Sequence, residues 1–297
     1  MVASMQRRTD DDMMPPPASR APASNNLSNG TGSRATAPMP HMRPFGGGSP
    51  RAANSMGYST GPIERANPAL LLEDEGVKTT NEDAAISKLS SANMGYFYDP
   101  WLKNLLSNPH QARRSPLMNR GYYARVSAVR MAMNRFLNTF PNTPVQIVNL
   151  GAGLDSSFWW LQHQRDSNLT YFEIDFDDVV NNKMSKVSRK RELWPAFDTP
   201  EKKIESSRDL PFALNQWGVR EIRCPKGKFL AGDLRHPQEA ETALLSSGFS
   251  KDVPTLFLSE CVLVYMTAEE SDAIVRWVSQ DLVRFSVFIF VSFFGST

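Results

Sequence analysis

Residues 144–175, PVQIVNLGAGLDSSFWWLQHQRDSNLTYFEID, decide the fold that this sequence predicts. The apolar, β-branched run Val145–Leu150 predicts a buried strand that ends on a Gly-Ala-Gly turn. A short helical pattern follows, and a second strand over residues 171–175 ends on the carboxylate of Asp175. A strand, a glycine turn, a helix and an acid-tipped strand form the first half of a nucleotide-binding α/β unit.

The glycine turn has the start of a dinucleotide fingerprint but lacks its third glycine, because position 156 is Ser156. Glycines allow a ligand to approach the backbone closely, and Asp175 is placed to accept hydrogen bonds from ribose hydroxyls. The missing glycine argues against a nicotinamide cofactor and leaves open an adenosine ligand without a pyrophosphate. Two glycines alone are a weak signal, so the rest of the chain has to decide.

The composition of the whole chain excludes several classes of protein. A formal charge of +2 over 297 residues gives no strong attraction to nucleic acid or to an anionic membrane. The two cysteines lack metal-ligand spacing, so neither a disulfide framework nor a metal site is expected. No apolar run approaches the roughly 20 residues of a membrane span, and the N-terminal residues do not predict a secretory signal, because no apolar core follows their charges. We expect a cytoplasmic protein.

The chain divides by composition near residue 76. Residues 1–76 are rich in Pro, Ser, Ala, Asn and Gly and have no apolar period, which is typical of a disordered tail. A docking or phosphorylated regulatory arm is the alternative function for this tail. Residues 77–297 carry the periodic patterns of one folded domain, beginning with a short helix that extends to Lys88.

The clearest amphipathic helix is predicted over residues 119–140. Its apolar positions recur at helical spacing from Tyr122 to Phe136, and Arg125 lies on or beside that stripe. An arginine in this position either extends its head group outward to solvent or meets an anion. The pattern alone favours the first interpretation.

The remaining patterns alternate between strands and helices, so five strands in a mainly parallel sheet are predicted. The further strands are residues 228–234, Thr255–Glu260 and 286–293; the further helices are residues 177–193, residues 237–247 and one that begins at a T-x-x-E capping box at residue 267. Residues 194–226 contain four prolines and predict an irregular connection with at most short elements. The basic residues of the helix over 177–193, beginning with Lys183, are interpreted as a solvated face, with an acidic partner as the alternative.

Acids end three of the predicted strands: Asp175, Asp233 and Glu260. In open α/β sheets ligands bind at the carboxyl ends of the strands, so these carboxylates are expected at one site. Each of them alone is as well explained by a helix cap or a surface turn. Together they suit a ligand with hydroxyls, an amine and a positive charge, and S-adenosylmethionine has all of these.

The chain resembles the leucine carboxyl methyltransferases in six blocks that follow the family's order. These blocks are TNEDAAISK (80–88), NRGYYARV (119–126), QIVNLGAGLDSSFW (146–159), YFEIDF (171–176), GDLR (232–235) and LSECVLVYMT (258–267). The resemblance implies a class I methyltransferase fold, α/β with an N-terminal helical lid. It also implies an S-adenosylmethionine-dependent enzyme that methylates the C-terminal leucine carboxylate in the tail of the protein phosphatase 2A catalytic subunit.

The same resemblance implies roles for individual residues. The cofactor-binding positions are Lys88, Arg125, Gly151, Asp175, Asp233, Leu234 and Glu260. Within this set Arg125 would bind the cofactor carboxylate, Asp175 the ribose, and Asp233 with Leu234 the adenine. Tyr265 is implied as the catalytic residue, near the substrate carboxylate. No general base is expected, because a C-terminal carboxyl group is already ionised at neutral pH.

The family pattern continues for two further strands beyond the last residue of this chain. The sequence therefore predicts a domain incomplete at its C-terminus, in which residues 286–293 form an exposed sheet edge. Two other functions stay open: a related tRNA wybutosine-type carboxyl methyltransferase, and a non-catalytic remnant that binds cofactor or phosphatase.

Overall fold

The computed structural model describes residues 74–164, 168–216, 218–282 and 286–291. The predicted tail, residues 1–76, lies outside the described residues except for its last three positions, and so its disorder stays a prediction. The first helix begins at Asp74, three residues before the predicted start of the folded domain at residue 77. Across the described ranges, no helix has the length and apolarity needed to cross a membrane.

The described residues form a seven-stranded sheet between two layers of helices. Its strands are β1 (Val145–Leu150), β2 (Leu169–Asp175), β3 (Phe212–Leu214), β4 (Arg220–Arg223), β5 (Gly227–Ala231), β6 (Thr255–Glu260) and β7 (Ser286–Val291). The spatial order is β3-β4-β5-β2-β1-β6-β7. The five strands from β5 to β7 are parallel, and β3 and β4 add an antiparallel hairpin at one edge. This confirms the predicted α/β class.

β1 lies in the middle of the five parallel strands and fixes where a ligand can bind. All six of its residues are buried, as expected for a strand covered on both faces. Val148 pairs with Phe172 of β2 on one side and with Phe257 of β6 on the other. The chain leaves β1 toward β2 and later returns to the opposite side for β6. The strand order therefore reverses at β1, and ligands of open α/β sheets bind at such a switch point.

Six α-helices precede or connect the strands within the described ranges. They are α1 (Asp74–Asn93), α2 (Pro116–Thr139), α3 (Ser157–Gln164), α4 (Asp177–Arg189), α5 (Pro237–Ser246) and α6 (Ala268–Arg276). Helix α6 begins with the predicted capping box, in which the Thr267 hydroxyl accepts from the Glu270 N–H and the Glu270 carboxylate accepts from the Thr267 N–H. It continues as a π-helix over Trp277–Leu282.

The two faces of the sheet are packed by different side chains. On one face an aromatic cluster surrounds Phe158, which stacks on Phe197 at 5.2 Å between ring centroids and meets Phe229 edge-on at 5.1 Å. On the other face aliphatic residues of α5 and α6, including Leu244 and Ile274, cover the sheet. Both layers leave the carboxyl ends of the parallel strands accessible to the two N-terminal helices.

Helices α1 and α2 correspond to the N-terminal helical lid expected from the resemblance. The hydroxyls of Ser90 and Ser91 donate to the side-chain and backbone oxygens of Asn119, each at 2.8 Å. All three residues are buried, so these hydrogen bonds fix the end of α1 against the start of α2.

In its described residues, the predicted irregular connection over residues 194–226 contains only short elements, and two of them, the strands β3 and β4, form a hairpin that the sequence pattern did not locate. The segment Arg220–Arg223 is mostly charged and shows no apolar alternation. Glu221 is nevertheless fully buried, where it accepts from the Asn215 amide at 3.1 Å and the Ala231 N–H at 2.9 Å. Because a hydrogen-bonded carboxylate occupies this buried position instead of an apolar side chain, the hydrophobic pattern of the sequence does not indicate the strand.

At the other side of the sheet, β7 is the edge strand of the described residues. The side chain of Phe290 is 61% exposed and that of Val287 is 46% exposed. This agrees with the exposed edge expected from the sequence.

Candidate active site

A cavity of about 490 Å³ opens at the carboxyl ends of β1, β2, β5 and β6, beneath α1 and α2. Its volume falls in the range of small-molecule sites, roughly 300–1,000 Å³. Six of the residues predicted for the site line this cavity: Arg125, Gly151, Asp175, Leu234, Glu260 and Tyr265. Lys88 and Asp233 do not line the cavity, but each forms an ion pair with a residue that does. Lys88 pairs with Glu260, and Asp233 pairs with Arg235.

The glycine turn after β1 requires both of its glycines. Gly151 and Gly153 have φ angles of +67° and +51°, in the left-handed region that disfavours side chains. A Cβ atom at position 151 would lie 2.5 Å from the Val262 side chain. At position 153 it would lie 2.7 Å from the Asn81 Oδ1 atom of α1. The turn is therefore narrow because both α1 and the segment after β6 approach its backbone.

Asp175 ends β2 and is held by backbone donors of its own surroundings. The N–H of Gly153 donates to its Oδ2 atom at 2.6 Å, and the N–H of Phe176 donates to Oδ1 at 2.8 Å. Burial raises the pKa of Asp175 to about 6, although these two hydrogen bonds act in the opposite direction. At neutral pH the group is an ionised acceptor on the cavity wall, as a ribose ligand requires.

Ser156, at the position of the absent third glycine, ties the turn to the segment between α1 and α2. Its hydroxyl donates to the Asp99 Oδ2 atom at 2.5 Å, and an Arg130 nitrogen lies 3.5 Å from the same oxygen. Burial raises the pKa of Asp99. At the position where a dinucleotide-binding turn has its third glycine, this chain therefore has a serine that is hydrogen-bonded to the segment between α1 and α2.

Glu260 ends β6 and joins both lid helices to the sheet. Its Oε2 atom accepts from the Lys88 Nζ of α1 at 3.0 Å, and its Oε1 atom accepts from the Arg125 Nε of α2. Lys88 also donates to the Asp155 Oδ2 atom at 3.0 Å. Arg125 on the apolar stripe therefore meets an anion, and the interpretation that it extends to solvent is wrong.

The pKa values of Lys88 and Asp155 favour the charged forms of these two groups. Burial alone would lower the pKa of Lys88, but Glu260 and Asp155 raise it well above its ordinary value. Burial would raise the pKa of Asp155, but Lys88 and then Lys183 hold it well below its usual range. Alternating charges of this kind stabilise each other only while all of them stay in place.

The segment after β6 carries Tyr265 into the cavity. Cys261 has a φ angle of +58°, which is uncommon for a residue other than glycine, and its N–H donates to the Val291 oxygen at 2.7 Å. The chain turns there into a short 3₁₀-helix, Leu263–Tyr265. Tyr265 is half-buried on the cavity wall.

Arg235 occupies the opposite part of the wall, and the sequence did not single it out. Its Nε and Nη2 atoms donate to Asp233 at 3.0 and 2.6 Å, and its guanidinium carbon lies 5.4 Å from the centroid of the Phe176 ring. Burial would raise the pKa of Asp233, but the hydrogen bonds from Arg235 lower it. Asp233 therefore positions Arg235, while Leu234, Arg235 and Phe176 face the cavity.

Lys183 corrects the interpretation of the basic run in α4 as a solvated face. Lys183 is only 2% exposed and donates to Glu173 and to the Asp155 carbonyl. The missed signal is its spacing: Lys183 lies four residues from Val179 and four from Val187, both buried, so it shares their apolar stripe. Arg189 and Lys190 are exposed, as predicted.

The described residues contain no group of three or more His, Cys, Asp or Glu side chains arranged to hold a metal ion. The expectation that the protein needs no metal stays a prediction.

Comparison with known proteins identifies the family. The model of the leucine carboxyl methyltransferase family matches residues 67–279. Bovine leucine carboxyl methyltransferase 1 is 35% identical over 207 residues, which are 70% of this chain and 59% of the relative. The rat protein of the same name is 32% identical over 208 residues, again 70% of this chain and 59% of the relative. Human tRNA wybutosine-synthesizing protein 4 is 36% identical over 220 residues, 72% of this chain and 30% of the relative.

The chain thus spans about three fifths of the length of its leucine carboxyl methyltransferase relatives. The matched region runs through α1, α2, every strand from β1 to β6 and all the residues predicted for the site. The sheet is the α/β methyltransferase sheet that the sequence predicts. This chain belongs to the leucine carboxyl methyltransferase family.

Proposed function

We propose that the cavity binds S-adenosylmethionine and that the protein transfers its methyl group to the C-terminal leucine carboxylate of the protein phosphatase 2A catalytic subunit. The main observation in support of this proposal is that Asp175, Glu260 and the turn at Gly151 line one cavity, at the point where the strand order of the sheet reverses. Two relatives whose alignments cover 70% of this chain are named leucine carboxyl methyltransferase 1, and this name supports a leucine carboxyl group as the acceptor. A cytoplasmic location belongs to the same proposal.

The residues on the wall fit the chemistry of this cofactor. Asp175 offers an ionised acceptor for ribose hydroxyls, and the Glu260 carboxylate, already paired with Lys88 and Arg125, offers its remaining lone pairs to an amine. Arg125 lines the cavity with a guanidinium, the side chain that best pairs with a carboxylate. The apolar Leu234 and Phe176 line the same cavity and offer surface against which a flat base can pack. We assign Lys88 and Asp233 to the support of Glu260 and Arg235.

The reaction asks little acid–base chemistry of the protein. When bound, the cofactor supplies an activated methyl group on sulfur. The acceptor carboxylate, with a pKa of about 3.3–3.7, is ionised at neutral pH and needs no base. The residues of this chain position the acceptor and exclude water, and Tyr265 would donate one hydrogen bond to the carboxylate. That contact orients the oxygen without the strong pairing that an arginine would impose.

One observation favours a second candidate function. The human relative at 36% identity is a tRNA wybutosine-synthesizing protein, so a carboxyl group on tRNA is the alternative acceptor. The small formal charge of +2 supports the peptide over the nucleic acid, because tRNA binding usually relies on an excess of basic residues. A chain that binds the cofactor without turnover is the third candidate.

Two measurements on the full chain separate these candidates. We would titrate S-adenosylmethionine calorimetrically and then assay transfer of a labelled methyl group to the phosphatase catalytic subunit and to tRNA. Binding with transfer to the phosphatase supports the proposal. Transfer to tRNA alone favours the second candidate, and binding without transfer favours the third. The absence of binding contradicts all three.

The assignment of Arg125 can be tested with a matched arginine from the same helix. Arg125→Ala should weaken cofactor binding, because it removes a cation that lines the cavity and one of the two cations that pair with Glu260. Arg120→Ala, an exposed position of α2, is the control and should bind as the wild type does. Equal affinities for the two variants would refute the assigned role of Arg125.

A further inference from the structure

Lys183 is a buried cation directly beneath the glycine turn, and the mechanism above does not use it. Its ammonium group donates to the backbone oxygen of Asp155 at 2.8 Å and to the Glu173 Oε2 atom at 2.5 Å. It also lies 5.6 Å from the centroid of the Trp159 ring and 5.5 Å from that of Phe229. A buried ammonium is costly unless it is paired, so its partners indicate its role.

Both hydrogen-bond partners belong to elements that form the cofactor site. Asp155 lies two residues after Gly153, and its carboxylate accepts from Lys88 of the lid. Glu173 precedes Asp175 by two residues on β2, so both side chains point to the same face of the sheet. Lys183 therefore connects the turn after β1 to the strand that carries the ribose acceptor.

The side chains between the glycine turn and β2 do not fill the space completely. A void of about 10 Å³, near the size of one water molecule, is lined in part by Gly153, Glu173, Asp175 and Lys183. The Glu173 Oε1 atom is buried and has no hydrogen-bond partner among the described residues. The N–H groups of Gly151 and Gly153 bond directly to Ile174 and Asp175, and beside these bonds the void separates part of the turn from β2. Lys183 lies on the wall of this void and connects its two sides.

Charge balance does not fully explain the lysine either. Burial raises the pKa of Glu173 to about 7, although Lys183 opposes the shift. A buried ion pair is in general weak evidence for stabilisation, since an apolar pair of similar size is often as stable. The contact that an apolar replacement cannot reproduce is the hydrogen bond to the Asp155 carbonyl.

We infer that Lys183 is a positioning residue of the cofactor site, which holds the glycine turn in place against Asp175 through the Asp155 carbonyl. The inference rests on the proposed function, that the cavity binds S-adenosylmethionine. Lys183 touches neither the cavity nor the acceptor. Its loss should therefore raise the dissociation constant and the KM for the cofactor more than it lowers kcat.

The test compares two substitutions in α4 of the full chain. Lys183→Met should raise the dissociation constant for S-adenosylmethionine about tenfold or more, as expected for the loss of a charged hydrogen bond that shapes a site. Val187→Ala truncates a fully buried neighbour on the same stripe and serves as the control for lost stability. It should lower the Tm while leaving the dissociation constant within about twofold of the wild type.

A double variant covers the case in which the isolated Glu173 prevents folding. Lys183→Met with Glu173→Met removes the unpaired acid yet still lacks the donor to Asp155, so its affinity should stay low. Wild-type affinity in either folded variant, or an equal loss of affinity in Val187→Ala, overturns the inference. Failure of both variants to fold also overturns it, because Lys183 is then needed for folding. Absence of binding by the wild type instead refutes the proposed function, and the inference with it.

Discussion

The ends of β2 and β6 carry equivalent carboxylates in different ways. Asp175 accepts from the backbone N–H groups of Gly153 and Phe176, both within 22 residues in the chain. Glu260 accepts from Lys88 and Arg125, which are 172 and 135 residues away. Both acids line the same cavity.

Asp175 is held by hydrogen bonds from backbone close to it in sequence or in the adjoining turn, whereas Glu260 joins distant segments of the chain. Backbone donors hold Asp175 without adding a charge, so its pKa rises to about 6 under the effect of burial. Two cations hold Glu260 and connect the sheet to α1 and α2. We therefore expect changes at β6 to affect folding of the lid, and changes at β2 to affect mainly the cofactor.

The largest effect is expected from Glu260→Ala. Removing this acid leaves Lys88 and Arg125 buried without their shared partner, and breaking a buried ion pair typically costs about 3–5 kcal/mol of unfolding free energy. Urea denaturation followed by circular dichroism measures the change. Glu201→Ala, at an exposed position, is the control and should change the free energy by less than about 0.5 kcal/mol. A cost at Glu260 no larger than the control's would contradict its role in joining the lid to the sheet.

Asp175→Asn should have a smaller effect on stability and a clear effect on the cofactor. The amide has one acceptor oxygen, so one of the two backbone donors loses its partner, at a cost of about 1–3 kcal/mol. The ionised acceptor for the ribose is also lost, so calorimetry should show affinity for S-adenosylmethionine reduced about tenfold or more. If Asp175→Asn binds the cofactor as the wild type does, β2 does not supply the ribose acceptor.

Cofactor affinity should depend on pH through Asp175. Its pKa of about 6 means that it is ionised above pH 6 and becomes protonated below it. The protonated acid offers fewer acceptor sites, so affinity should be constant above about pH 7. Below about pH 6 affinity should fall, with a limiting slope of about tenfold per pH unit if one proton must leave before binding. Titrations between pH 5 and 8 measure this, and the dependence should be absent in Asp175→Asn.

Gly151→Ala tests the contact between the turn after β1 and the segment after β6. The new Cβ atom would meet Val262 of the segment after β6 at 2.5 Å, in addition to the strain of a positive φ angle. Gly248→Ala is the matched control, because its φ angle of +88° is also positive but nothing lies within 4 Å of the new atom. Thermal melts should show a loss of about 1–2 kcal/mol for the control and a larger loss for Gly151→Ala. Equal losses would mean that Val262 simply moves aside.

The parts of the site that are local in sequence are those the sequence predicts well. Val145–Leu150, the glycine turn and Asp175 follow from a continuous apolar run, two glycines and a strand-end acid. The capping box at Thr267 was equally clear, because it needs only four neighbouring residues.

The remaining features depend on contacts between distant segments, which a single sequence does not specify. The partner of Arg125 lies on β6, so the helical pattern could not choose between solvent and an anion. Lys183 was assigned to a solvated face because neighbouring residues are basic, whereas its partners are on β2 and in the glycine turn. The position of the short strand β4 does not follow from the hydrophobic pattern, because its residue Glu221 is an acid that is buried with hydrogen bonds from Asn215 and Ala231.

The most direct test of the central claim is a calorimetric titration of the full chain with S-adenosylmethionine, carried out in parallel on the wild type and Asp175→Asn. We predict binding of one cofactor per chain by the wild type and an affinity at least about tenfold lower for Asp175→Asn while it stays folded. No binding by the folded wild type, or equal binding by the two proteins, would contradict the claim that the acid-lined cavity at the ends of β2 and β6 is the cofactor site.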